Sequence, residues 1–448
     1  MVRAMGKMLE IDLTKEKIAE KRLEKDLVSK FIGSRGINAK ILFDNVSPET
    51  DPLTPENYLI LGAGTFVGTM IPTTGQLTIT SKSPETGLYL KTNTGGHFAA
   101  GLRFAGYNII VIHGKSKSPV SIIMEDNDVK IKKTPELWGK TIRETNNILK
   151  KDLGDFEIAA IGPAGENLVK YANIMVSVYH AAGRGGAGAV MGSKNLKAIA
   201  VRGSGEVEVD DPETVKRISL EAIEKIKDKV KAKVYLDYGT AATLTYTNES
   251  WSLPTKNFIE AHFGKCDILD GHYLVEKGYM TKGGACTACP IGCHKFSSVK
   301  NGRYRGFSGG PEYETLAAFS PGCYIENTEA VLKANELCND LGLDSISTGG
   351  TIQWALESYE RGALKEEHIK NLNMKWGNED TVIELIEDIA YRRDLGDLLA
   401  EGTKKASEKI GRDSWKWAVQ ARGLEQSRVD TRSAKAYALT FAVNPRGP

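Results

Sequence analysis

Three cysteines stand close together in the stretch Cys286-Thr287-Ala288-Cys289-Pro290-Ile291-Gly292-Cys293. Gaps of two and then three residues let three thiolates turn inward around one metal centre, and Pro290 and Gly292 help the backbone wrap tightly. A [4Fe-4S] cube takes such thiolates and needs a fourth ligand from elsewhere in the chain. Zinc accepts three Cys and one His, and His294 is the next residue. Iron–sulfur chemistry is the preferred expectation, with zinc and unconnected core thiols as the alternatives. Radical-SAM enzymes use the opposite order of gaps, so that chemistry is disfavoured. Cys266, Cys323 and Cys338 are isolated and read as core thiols.

The second candidate is the glycine block from Ala181 to Gly192. Its residues Gly183, Gly185, Gly186 and Gly188 would bring backbone N–H groups close to a bound group, often a phosphate. A dinucleotide fingerprint needs a following helix of useful length. Here a strand-like run, Lys194 to Val201, begins a few residues later, so a loop against a large polar cofactor fits better. A tight packing crossover is the plainer alternative. Thr73-Thr74-Gly75-Gln76 and Thr92-Asn93-Thr94-Gly95-Gly96-His97 have the same character, each weak alone. In Pro311-Glu312-Tyr313-Glu314, paired carboxylates flank a tyrosine, and burial could raise the pKa of one of them for proton transfer. In Asn339-Asp340-Leu341-Gly342-Leu343-Asp344, Gly342 suits a left-handed helix end, and Ser347 or Thr348 could cap the helix that follows.

These groups need elements to position them. Short β-branched runs at Tyr58–Leu61, Leu77–Thr80, Asn108–Ile112 and Ala198–Val201 predict strands in a sheet-rich first part. Asp211-Pro212 starts a helical pattern, and helices are predicted over Thr328–Leu341, Thr351–Tyr359 and Thr381–Arg392. The reading is therefore α+β. A β-rich domain over 1–208 carries the cofactor loops, and mainly helical domains over 209–448 carry the cysteines. The apolar run Ala436–Val443 precedes an ending without a terminal helix, so a fragment is expected. Lys+Arg 59 against Asp+Glu 57 leaves a net charge of +2, which gives no field for nucleic acid or an anionic membrane. No apolar stretch approaches the roughly 20 residues that cross a bilayer. Six cysteines in 448 residues do not make a disulfide framework, which fits a cytoplasmic protein.

In this order, the motifs resemble those of the aldehyde:ferredoxin oxidoreductase family of tungsten enzymes. Besides the blocks above, Gly33-Ser34-Arg35-Gly36 and the run Ile161 to Lys170 belong to the resemblance, which spans essentially the whole chain. It implies two related N-terminal sheets cradling a tungstopterin (a bis-pterin holding tungsten, less often molybdenum), a neighbouring [4Fe-4S] cluster and a Mg2+ ion. It also implies a small aldehyde as substrate and ferredoxin or a similar carrier as electron acceptor, and it is compatible with a homo-oligomer. Carried over by position, Cys286, Cys289 and Cys293 are cluster ligands. Asn93 and Ala181 hold Mg2+ through carbonyl oxygens, Gly95 approaches a pterin phosphate, and Gly185 lies in the cradle. Leu343 and Asp344 belong to the first pterin-binding turn, and Glu314 is the glutamate close to tungsten.

The sequence departs from the family where charge is concerned. Gln76 and His180 stand where arginines meet the phosphates, and Asn339 stands where the pterin turn usually begins with Asp. Lys333 and Glu336 replace the E-x-x-H pair that binds iron between subunits in some members, so no such site is expected. The fourth cluster cysteine and the second pterin turn are expected beyond Pro448. An aryl-CoA reductase of the same fold is the runner-up activity, and a non-catalytic, zinc-stabilised binding protein is the alternative from another class.

Overall fold

The computed structural model describes residues 6–448. The chain divides into two compact units. The first comprises Met1–Leu168, Ala172–Lys233 and Ala285–Gly292, and the second Val169–Tyr171, Val234–Gly284 and Cys293–Pro448.

The first unit holds two six-stranded sheets. One is built from β1 (Lys7–Asp12), β2 (Lys17–Arg22), β3 (Leu59–Ala63), β4 (Leu77–Lys82), β5 (Tyr89–Thr94) and β6 (Tyr107–His113), in the order β2-β1-β6-β3-β4-β5. The other is built from β7 (Val120–Glu125), β8 (Asp128–Lys133), β9 (Glu157–Ala160), β10 (Ile174–Val176), β11 (His180–Ala182) and β12 (Leu196–Arg202). Its order, β11-β10-β9-β12-β7-β8, is the same path traced again. In each sheet the first strand forms a hairpin with the second and pairs in parallel with the sixth, and every other pairing is antiparallel.

The duplication extends to the connections. In each half a Gly-Gly pair follows the fifth strand and opens a seven-residue helix that returns to the sixth. Gly95-Gly96 leads into Phe98–Phe104, and Gly185-Gly186 leads into Ala187–Ser193. Phe98, Leu102, Val190 and Met191 from these helices share one apolar core with Leu61, Ile79, Ile110, Ile122 and Ile199 of the sheets. The glycine block is therefore strand, turn and buried helix. Its second half is the packing crossover rather than a loop around a ligand. A Cβ at Gly192 would lie 2.0 Å from the carbonyl oxygen of Gly165. Below this crossover Lys194 is fully buried, and its ammonium donates to the carbonyls of Pro55 (3.3 Å), Asn57 (2.6 Å) and Gly114 (3.3 Å).

The second unit is mainly helical, with a three-stranded sheet over Met280–Lys282, Lys295–Val299 and Gly306–Gly309. The helix Thr328–Leu341 has the predicted bounds and stops at Gly342, at φ 79°. The next helix, Ser345–Glu360, starts earlier than predicted, and its cap is Asp344, which accepts the Ile346 N–H at 3.0 Å. Gly349-Gly350 hides this helix from propensity, yet the pair serves packing: a Cβ at Gly349 would sit 2.8 Å from that of Ala318. The helix is buried along most of its length; Trp354 donates to Ser414 O and Gln353 to Ala318 O. The apolar run near residue 440 is itself a helix, Lys435–Val443, contrary to the sequence reading, and none of its residues is buried.

Gly192→Ala sets a helix-propensity gain of about 1 kcal/mol against a backbone clash costing about 3 kcal/mol or more. Urea denaturation should show a net loss of stability.

Candidate functional site

The edge strands β5 and β11 lie against each other in the first unit, and most of the sequence-predicted cofactor residues gather there. Asn93 is the penultimate residue of β5 and donates its side-chain N–H to Gln76 Oε1 at 3.2 Å. Its own Oδ1 and the hydroxyl of Thr94 are buried without a hydrogen-bond partner. Buried acceptors are normally satisfied, so this strand end has the donor demand of a site that receives a ligand. Gln76 itself lines a hollow of about 230 Å3 with Ser34, Thr65, Thr73, Thr74 and Thr78.

The segment carrying Cys286 and Cys289 is strapped onto the same loops. Thr287 N–H donates to Gly96 O (3.2 Å), the Thr287 hydroxyl lies 2.8 Å from His97 Nδ1, and Thr73 N–H donates to Ala288 O (2.9 Å). A Cβ at Gly95 would be 2.5 Å from Cys286 Sγ, so only glycine lets this sulfur come so close to the strand end. Cys289 N–H closes a turn onto Cys286 O at 3.0 Å. All three cysteines of the motif are unbridged and partly exposed, whereas Cys266, Cys323 and Cys338 are buried. Burial pushes the Cys266 and Cys323 thiols up to about 12, as suits inert core thiols.

Among the described residues, no group of three or more His, Cys, Asp or Glu side chains is gathered tightly enough to hold a metal ion. The donor set nevertheless fits a cluster. Cys286 and Cys289 are unbridged and partly exposed, their segment is held at Gly95 and Gly96, and metal binding commonly completes the gathering of its ligands.

His180, on β11, stands beside Gly96: a Cβ there would meet the His180 ring at 2.9 Å. Burial first, and then His97, push its pKa down to about 4. Ala181 next to it is exposed, while Gly185 and Arg184 are buried. Gly185 O accepts the Ser83 hydroxyl at 2.8 Å.

The remaining candidates lie in the second unit and have structural partners. Asn339 donates to Ser308 Oγ (2.9 Å) and Gly309 O (3.1 Å), tying its helix to the neighbouring strand. Leu343 is buried just after Gly342, and Asp344 is the cap described above. Glu314 is half-buried and accepts the backbone N–H of Arg428 at 2.8 Å. The Arg428 peptide and Thr287 are contacts that no sequence motif announced, since each acts through backbone atoms or a lone hydroxyl.

Comparison with known proteins follows the same layout. Residues 8–203 match the family described as aldehyde ferredoxin oxidoreductase, N-terminal domain, and residues 217–448 match its domains 2 and 3. A tungsten-containing aldehyde ferredoxin oxidoreductase of Thermococcus kodakarensis is 40% identical over 446 residues, which is 99% of this chain and 73% of the relative. The Pyrococcus furiosus protein of the same name is 39% identical with the same coverage. An aliphatic sulfonate oxidoreductase, WOR-like subunit, from Pyrococcus furiosus is 34% identical over 99% of this chain and 74% of its own length. Among solved structures, the active site complex BamBC of benzoyl coenzyme A reductase with 1,5-dienoyl-CoA superposes with a TM-score of 0.88. It is 29% identical, and the match covers 100% of this chain and 70% of that one. The likenesses run through both units and define the class, an oxidoreductase. The chain belongs to the aldehyde ferredoxin oxidoreductase family.

Two outcomes are expected. Gly95→Ala should displace Cys286 and lower the iron bound after anaerobic reconstitution, read by metal analysis, with the far-UV spectrum unchanged. In the cofactor-free chain, His180 has a folded pKa of about 4, below its ordinary 6.5. Between these values the unfolded chain binds the extra proton, so stability rises with pH across the window and is lost on acidification. His180→Gln should flatten that part of a stability–pH curve.

Proposed function

We propose that the protein oxidises aldehydes to carboxylic acids at a tungstopterin and passes the electrons to ferredoxin. The reaction balances as R–CHO plus water giving R–COOH, two protons and two electrons. The observation that carries this reading is the pinned sulfur of Cys286 against Gly95, one residue from buried acceptors of β5 that lack donors. When bound, the tungsten centre would supply the two-electron change and the [4Fe-4S] cluster the single-electron relay.

This chain's residues would hold and position those groups. Cys286, Cys289 and Cys293 are proposed as cluster ligands. Asn93 and Ala181 would hold Mg2+, and Gly95 and Gly185 would admit the pterin. Gln76 and His180 would meet its phosphates through uncharged groups, and Asn339, Leu343 and Asp344 would form a pterin turn. Glu314 would accept a proton. No helix among the described residues is long and apolar enough to cross a membrane, and a cytoplasmic location is proposed. A reductive reaction on an aryl-CoA thioester is the second reading, favoured by the superposition on benzoyl coenzyme A reductase.

Protein made anaerobically with tungstate should contain tungsten and about four iron atoms per chain, and should reduce a viologen dye with aldehydes. Zinc at about one per chain without iron or tungsten would support the binding-protein alternative. Turnover of benzoyl-CoA and of no aldehyde would support the second reading. Glu314→Gln should lower kcat by about 10²–10⁴-fold at unchanged metal content.

A further inference from the structure

Arg103 stands in the last turn of the helix Phe98–Phe104 and is only 8% exposed. Its Nε donates to Val67 O at a long 3.4 Å, and among the described residues no carboxylate pairs with it. Burial pushes its pKa down, and no neighbouring negative charge holds it up. The end of a short helix supplies at most about half an elementary charge. Buried charges are normally paired, because an uncompensated one is costly to desolvate. A guanidinium kept here without a partner is therefore a group suited to an anion from outside the chain.

The same residue forms part of the wall of a hollow of about 410 Å3 in the first unit. Its Nη nitrogens have no protein partner, yet they are not among the buried atoms that lack one, so the exposure that Arg103 keeps lies at its guanidinium end. Asn108, on β6, lines the hollow as well. Its Oδ1 is buried without a donor against Gly6, where a Cβ would fall 1.3 Å away. That leaves its NH2 as the half of the amide open to the hollow. Leu23 and Val207 supply an apolar side. Of the other charged groups in the wall, Lys7 is paired with Glu20 at 3.0 Å, while Arg22, Glu206 and Glu208 are exposed.

We propose that this hollow binds a small apolar monocarboxylate, such as butyrate or hexanoate, with its carboxylate on Arg103 and Asn108 and its tail along Leu23 and Val207. A guanidinium presents parallel N–H donors that match the two oxygens of a carboxylate. The two glutamates in the wall repel a dianion more than a monoanion, which decides against phosphate and sulfate. The volume and the apolar side decide against chloride. Binding changes no covalent bond, and the site does not depend on the aldehyde-oxidising reading above.

The test is calorimetric titration of the chain with hexanoate, with the uncharged isostere hexanamide and with inorganic phosphate. Hexanoate should bind at one site per chain, hexanamide should not bind, and phosphate should bind more weakly than hexanoate. Hydrogen exchange should slow on adding hexanoate in peptides covering 98–108 and 203–209. Arg103→Met should weaken hexanoate binding by about 10–150-fold, and Arg103→Lys should recover part of the loss, both with the wild-type far-UV spectrum. Equal binding of hexanoate and hexanamide would overturn the proposal. So would no binding at millimolar hexanoate, protection confined to other peptides, phosphate binding more tightly than hexanoate, or a folded Arg103→Met chain of unchanged affinity. Should Arg103→Met not fold, the wild-type comparison of hexanoate with hexanamide and the exchange map decide the matter.

Discussion

Between the sulfur of Cys286 and the backbone of Gly95 there is no room for a methyl group. That close approach orders much else in the first unit. The backbone of Thr287 can reach Gly96 O, the Thr73 N–H can reach Ala288 O, and residues 285–292 become part of a unit from which they are distant in sequence. The hydrogen bonds are ordinary ones, each contributing about 1 kcal/mol. They can form together because a glycine removes the steric barrier that would forbid all of them. This region around β5 is in this sense a backbone construction, and side-chain charge plays a small part in it. Gln76 and Asn93 hold each other as neutral amides, and burial keeps His180 without charge at neutral pH.

The start of the helix Tyr313–Phe319 follows a different logic. Glu312 and Glu314 stand two residues apart and meet different hydrogen-bond donors. Glu314 meets a peptide N–H that cannot lose its proton, and Glu312 meets a hydroxyl whose direction is fixed by a second peptide N–H. The helix start supplies both carboxyls, and tertiary partners as remote as Arg428 and Thr240 distinguish them.

Much of this was legible in the sequence, for identifiable reasons. The strands β3, β4, β6 and β12 and the helix Thr328–Leu341 carry strong periodic patterns. Gly342 was readable because a left-handed helix end leaves few alternatives. The helix at Ser345 was half hidden because Gly349-Gly350 depresses propensity for the sake of close packing. The glycine block was read as a ligand loop because glycine density marks close backbone approach without saying to what. At Gly192 the answer is another turn of the protein itself. The duplication of the two sheets follows from the family resemblance, and the residue patterns alone do not carry it. Only the Gly-Gly pair after each fifth strand survives as a trace, since what repeats is a path of strands rather than a string of residues.

The parallel pairing of β1 with β6, and of β7 with β12, closes each sheet around its earliest strand. A chain emerging from the ribosome therefore carries β1 with one edge open until residues 107–113 follow it, and the second half waits again from residue 120 until 196–202 arrive. An open strand edge is a template for pairing with other chains, and such long-range closure is slow. Twice along the chain, then, an early strand edge is completed only by a strand far downstream.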